Sequence, residues 1–209
     1  MQRPSPVFTV QSAAPVTIES RALGTLAYIR ASIDSSSSMD VPGMAGIVMG
    51  IIGVLAAIIV SVPRWSNQWL GIWLLAAAVA LMLGSGLVAR QYLRRGHTRY
   101  FGPARKFLLC LCPALFAGAV LTGVSWRAGV TSVIPGTWLL LYGCAVLSAS
   151  TVTIAGISRL IGVMGTLFVI LGLSTFILPG AARTIMLGLG FGALHIIFGM
   201  LIGRSGHGE

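Results

Sequence analysis

The chain alternates long apolar stretches with short polar connections. Six apolar runs lie near residues 43–62, 69–88, 107–124, 137–154, 160–178 and 184–203. Each approaches or reaches the ~20 residues that a helix needs to cross a hydrocarbon core of roughly 30 Å. Unpaired backbone groups are costly in lipid, so the runs predict helices. The expected fold class is therefore all-α, a polytopic integral membrane protein with six transmembrane helices spread over residues 41–205. The fourth run departs most from the pattern, because Ser148, Ser150, Thr151 and Thr153 crowd its end. If it did not cross, the orientation of everything after it would invert.

The pattern ahead of the first run is different. Residues 1–17 carry Pro4, Pro6 and Pro15 among scattered polar residues and read as a disordered N-terminal tail. Between residues 18 and 40, Ala22, Leu26, Ile29 and Ile33 recur at spacings of 4, 3 and 4. That spacing places them on one face of a short amphipathic helix. Arg21, Arg30 and Asp34 project elsewhere, and Ser35 to Ser38 form a joint. Two placements fit this helix: flat on the membrane surface, or packed on the protein's own loops. Residues 206–209 form a C-terminal tail. The N-terminus has no signal-peptide apolar core, so the first span is expected to direct insertion.

Composition supports the membrane assignment. Hydrophobic residues make up 56% of the 209 and charged residues 9%, with a mean hydropathy of +0.93. Soluble domains carry roughly 25% charged residues. Little chain is left for a soluble enzymatic module.

Charge then orients the runs. The formal net charge is +10, with 14 Lys and Arg against four acids. In a soluble protein that balance would suggest nucleic acid. Here Glu19, Asp34, Asp40 and Glu209 all lie outside the apolar runs, and the bases cluster between runs. No nucleic-acid partner is expected. The second connection holds Arg90, Arg94, Arg95, Arg99, Arg105 and Lys106, whereas the first, third and fifth hold Arg64, Arg127 and Arg183. The positive-inside rule puts the basic connection in the cytoplasm, and an even span count puts both termini there. Trp65, Trp69, Trp126 and Trp138 then fall at the outer interface, where amphipathic rings settle. Trp73 lies about one turn deeper. The six cations of the basic connection are candidate contacts for anionic headgroups, at about 1 kcal/mol each near the surface. The plainer reading is that they only fix topology.

The runs pair as three hairpins, with Pro63, Pro135 and Pro179 in the outer turns. The first hairpin (GIVMGIIGVLAAIIVSVP, LGIWLLAAAVALMLG) and the third (GVMGTLFVILGLSTFILP, LGLGFGALHIIFG) share a glycine-spaced run, a proline turn and a second glycine-punctuated run. In these residues the chain resembles the HdeD-like acid-resistance membrane proteins, a bacterial family of six-helix hairpin repeats. With the phrases GPARKF and PGTWLLLYG it is also similar to small bacterial membrane proteins of uncharacterised function. The resemblance covers roughly residues 43–203. It implies a bacterial inner-membrane location, a role in envelope or acid stress or in membrane organisation, and no catalytic residues or cofactors.

Few residues carry candidate chemistry. His195 is the only histidine well inside a run. A titratable group at membrane depth suggests a proton relay or ligand contact. A neutral histidine bonded to a neighbouring helix accounts for it equally well, since no run holds Asp, Glu or Lys. With Ser148, Ser150, Thr151 and Thr153 it makes up the polar inventory of a small-solute or proton transporter, the alternative function. Cys110 and Cys112 are not a zinc site, because their spacing points the thiols about 200° apart on a helix. With Cys144 they read as small hydrophobes. Gly46 and Gly50, Gly188 and Gly192, and Gly199 and Gly203 form small-xxx-small pairs that let helices approach closely. Packing inside one bundle and homodimerisation both use such pairs. GLGFG (188–192) has no strand before it and is not a dinucleotide loop. Pro113 is expected to kink the third span. The leading expectation is a non-enzymatic membrane protein acting through lipids and membrane-protein partners.

Overall fold

A computed structural model gives the fold for residues 23–26, 28, 42–94, 101–153 and 155–205. Contacts divide the chain into two units, residues 1–35 and 36–209. In the first, residues 23–26 and 28 are helical, and Leu23, Leu26 and Tyr28 are exposed. The rest of the expected amphipathic stripe, Ala22, Ile29 and Ile33, lies outside the described residues, as do both tails.

The second unit is a bundle of apolar helices. Helix α1 is Gly43–Ser61, α2 Trp69–Arg94, α3 Phe101–Arg127, α4 Ile134–Ser150 and α5 Ala155–Ile177. The last run comprises α6 (Gly180–Leu187), a π-helical segment (Gly188–Leu194) and α7 (His195–Ser205). Six stretches are long and apolar enough to cross a membrane. The protein is an all-α, multi-pass membrane protein.

Local chemistry sets the helix ends. Pro63 opens a 3-10 turn (Pro63–Gln68) after α1, and the Arg64 guanidinium sits 5.8 Å over the Trp65 ring. Helix α3 ends at Arg127 and is closed by Gly129, whose φ of 71° is the left-handed conformation glycine adopts freely. The Val130 N–H donates to Ser125 and the Gly129 N–H to Trp126, closing the carbonyls of the last turn in a Schellman motif. Pro135 stands in the first turn of α4, where its missing N–H costs nothing. Pro113 sits within α3, which continues through it from Phe101 to Arg127.

Polar side chains inside the spans bond back to their own helices. Thr122 donates to Gly118, Thr137 to Val133, Thr166 to Gly162 and Thr175 to Leu171, each four residues earlier. This satisfies hydroxyls that lipid cannot.

Glycines decide which helices touch most closely. The first and last spans cross with their backbones in contact. A Cβ on Gly43 would run into the Gly199 carbonyl, and one on Gly53 into that of Phe191. A second seam joins α4 and α5. A Cβ on Gly143 would lie 2.9 Å from the Gly165 carbonyl, and one on Gly165 3.0 Å from that of Gly143. One heptad away, Gly172 meets the backbone of Leu140 and Gly136. The closest packing thus runs between hairpins, first span with sixth and fourth with fifth. Helix α2 leans on α1, and α3 leans on α4.

The burial pattern follows. The fourth span is the least apolar of the six and the most buried, whereas α2 and α3 are the least buried. A span enclosed by other helices needs less lipid-compatible surface. Leu74, Leu75 and Met82 on α2 and Leu108, Leu115 and Phe116 on α3 face outward as a lipid-facing surface.

Candidate functional site

The centre of the bundle is a cluster of rings. His195 opens α7, Phe191 lies in the π segment, Tyr142 is mid-way along α4, and Phe168 is on α5. The Phe168 side chain is fully enclosed and His195 is 4% exposed. Tyr142 lies 4.8 Å from Phe168 and 5.2 Å from Phe191, centroid to centroid. Phe191 and His195 are nearly parallel at 6.2 Å, and Phe168 meets the imidazole edge-on at 5.4 Å. These separations lie in the range that aromatic pairs favour.

Both nitrogens of His195 have partners. Nε2 is 2.7 Å from the Tyr142 hydroxyl, and Nδ1 is 3.4 Å from the Gly190 carbonyl. A carbonyl only accepts, which assigns the ring proton to Nδ1. Nε2 then accepts from the Tyr142 O–H. In its neutral form the imidazole is thus satisfied without a carboxylate.

The π-helical turn creates this arrangement. Its wider spacing sets the Gly190 carbonyl, five residues earlier, beneath the imidazole. Gly190 has no room for a side chain, since a Cβ would lie 2.5 Å from Leu139 Cδ2 and 3.0 Å from Phe168 Cε1. GLGFG is thus a packing device inside a span.

The Ser/Thr group has other partners. Ser150 donates to the Leu147 carbonyl, Thr151 to Ser148 and Thr153 to Ser150. Ser158 on α5 also donates to the Ser150 carbonyl, tying the turn after α4 to the next helix. These hydroxyls close the C-terminal end of α4, where helix carbonyls lack intrahelical donors. Ser148 is exposed on another face. The groups bonded to His195 and the groups closing α4 are separate sets with different partners.

The glycine pairs turn inward. Gly46 and Gly50 on α1 face the backbone at His195, Gly192, Ile196 and Gly199, and Gly188 faces Ala57. The Gly203 backbone lies against Gly43. Gly46, Gly50, Gly188, Gly192 and Gly199 therefore form one seam between the first and last spans, whereas a Cβ on Gly203 would meet nothing within 4 Å. In the basic connection, Arg90, Arg105 and Lys106 are exposed. Arg95, Arg99 and the Arg94 side chain lie outside the described residues.

The tryptophans divide. Trp65 and Trp126 are exposed, as interfacial rings would be. The Trp138 indole donates to Thr122 Oγ1 at 2.7 Å, joining α4 to α3. Trp73 is buried against Phe191, and its indole N–H has no partner among the described residues.

Tyr142, Phe168 and Phe191 do not stand out in the sequence. The signal for Tyr142 is a hydroxyl-bearing ring in the middle of an apolar run. The signal for the α4–α5 seam is glycine spaced by seven on both helices, at 136 and 143 and at 165 and 172.

Comparison with protein-family models, curated proteins and solved structures found no match for this chain.

Proposed function

We propose that this is a non-enzymatic protein of the bacterial cytoplasmic membrane, with both termini inside, acting through its packed bundle and through lipid and membrane-protein partners. The role suggested by the HdeD-like resemblance is in envelope or acid stress. The observation that carries this reading is the closed aromatic centre. The one histidine at membrane depth has both nitrogens engaged, by Tyr142 and by the Gly190 carbonyl, among rings that fill the space around it. A transport path needs convergent polar groups along a route. The hydroxyls at 150–153 are instead committed to local carbonyls.

The test is a deletion strain challenged with acid and with envelope stress, coupled to affinity capture of the tagged protein from native membranes. A sensitised strain and a reproducible membrane-protein partner are expected. Wild-type growth under both stresses together with no captured partner would remove this reading.

One observation favours a second reading, a proton transporter. The Tyr142–His195 bond joins two titratable groups on different spans. In proteoliposomes the first reading expects a proton leak equal to that of empty vesicles. A wild-type leak abolished in a folded His195→Phe variant would establish the second.

A further inference from the structure

A groove of about 420 Å³ opens between α3 and α4, lined by Leu109, Cys110, Pro113 and Ala114 on one side and by Cys144 and Ser148 on the other. Cys144 and Ser148 are exposed in it, away from the aromatic centre. Its mouth lies between the two helices, on the face where Leu109, Pro113, Cys144 and Ser148 are exposed. In a bilayer that face meets lipid.

Its walls are not uniformly apolar. Pro113 has no N–H to offer the Leu109 carbonyl four residues earlier, which leaves an acceptor at the groove wall. The Ser148 hydroxyl lies on the facing helix. At the end of the groove, Arg105 and Lys106 begin the span and are exposed. Each stands four residues before a lining residue, Leu109 and Cys110, and so lies one turn above it on the same face. Residues 42–205 contain no Asp or Glu. No carboxylate among these residues can neutralise the two cations.

The order along α3 is thus two exposed cations, then hydrogen-bonding groups, then an apolar slot. An anionic diacyl phospholipid has the same order: phosphate, glycerol ester, acyl chain. We propose that the α3–α4 groove is a binding site for such a lipid. Arg105 and Lys106 hold its phosphate. Ser148 donates to an ester oxygen, and the Leu109 carbonyl accepts from a headgroup hydroxyl. One acyl chain lies over Pro113 and Ala114. The charge match selects this occupant over a zwitterionic lipid, which brings its own ammonium beside the phosphate, and over an apolar helix, which brings no anion.

The test measures lipid retention by the full chain in detergent, by native mass spectrometry, with phosphatidylglycerol and chain-matched phosphatidylcholine. Phosphatidylglycerol should be retained in preference. The Arg105→Ala/Lys106→Ala double variant should weaken its binding on the order of tenfold. Cys144→Phe, which fills the slot, should weaken it similarly. Arg90→Ala removes a cation of the same connection from α2 and should change little. Losses from Arg90→Ala as large as from the double variant would mean general attraction to a basic surface and overturn the proposal. So would undiminished binding to folded Cys144→Phe, or competition by soluble glycerol phosphate as effective as by the lipid. Thiol footprinting of the wild-type chain covers the case in which Cys144→Phe does not fold. Phosphatidylglycerol should slow lipophilic maleimide labelling at Cys144 several-fold more than at Cys112, which lies outside the groove lining. Equal effects at the two thiols would overturn the proposal.

Discussion

The Tyr142 hydroxyl lies 2.7 Å from Nε2 of His195, bonding the fourth span to the sixth inside a cluster of aromatic rings. Breaking one side leaves a buried acceptor or donor without a partner, whereas removing both groups leaves an apolar contact. In folding measurements in mixed micelles, Tyr142→Phe and His195→Phe should each destabilise by about 1–2 kcal/mol. The double variant should lose less than the sum, with a coupling of about 0.6–1.7 kcal/mol. Additive losses would show that the bond contributes nothing.

The π segment should be a condition of that coupling. Removing one residue, Leu189, would let Gly188–Leu194 relax to α-helical spacing and rotate His195 by about 100° relative to the chain before it. In this background the Tyr142–His195 coupling energy is expected to fall to near zero, and persistence of the full coupling would show that the wide turn does not place the imidazole.

The two glycine seams should tolerate no side chain. Gly143→Leu and Gly199→Leu drive atoms into facing backbone, since even a Cβ would approach within 2.8 Å at Gly143 and 2.7 Å at Gly199. Each is expected to cost more than about 2 kcal/mol, because backbone cannot yield as a flexible side chain does. Gly71 and Gly123 have nothing within 4 Å of an added Cβ. Alanine there should be neutral or should raise stability by up to about 1 kcal/mol, through better helix propensity. Similar thermal shifts in both groups would contradict the seam assignment.

The orientation read from charge is tested by a reporter fused after Glu209. Cytoplasmic activity is expected, matched by a reporter inserted within 95–99. A reporter active only outside at Glu209, but cytoplasmic at 95–99, would mean that an odd number of crossings separates the two.

A great deal of the fold was legible in the chain. Six apolar runs of spanning length are a local property, because lipid makes every backbone group bond within its own helix. The structure lengthens the third run back to Phe101 and moves the start of the fourth to Ile134. The close of the third helix at Arg127 depends on the Schellman turn at Gly129 and the start of the fourth on the first-turn Pro135, neither of which hydropathy weighs. Ser150, Thr151 and Thr153 make the span look weak for a different reason. They close the end of a central helix that other helices shield from lipid.

Sequence by itself determined that this chain crosses a membrane as helices and that its positive charge gathers at one connection. Both follow from transfer energies summed along the chain, which need no knowledge of neighbours. Only the tertiary structure decided what the glycines and His195 do. Gly46, Gly50, Gly192 and Gly199 become one seam, rather than separate pairs, because the first and last spans meet across most of the chain. His195 found an uncharged partner, Tyr142, 53 residues away. Such a bond depends on the rotation of two helices about their own axes, and here a π-helical turn fixes one of them.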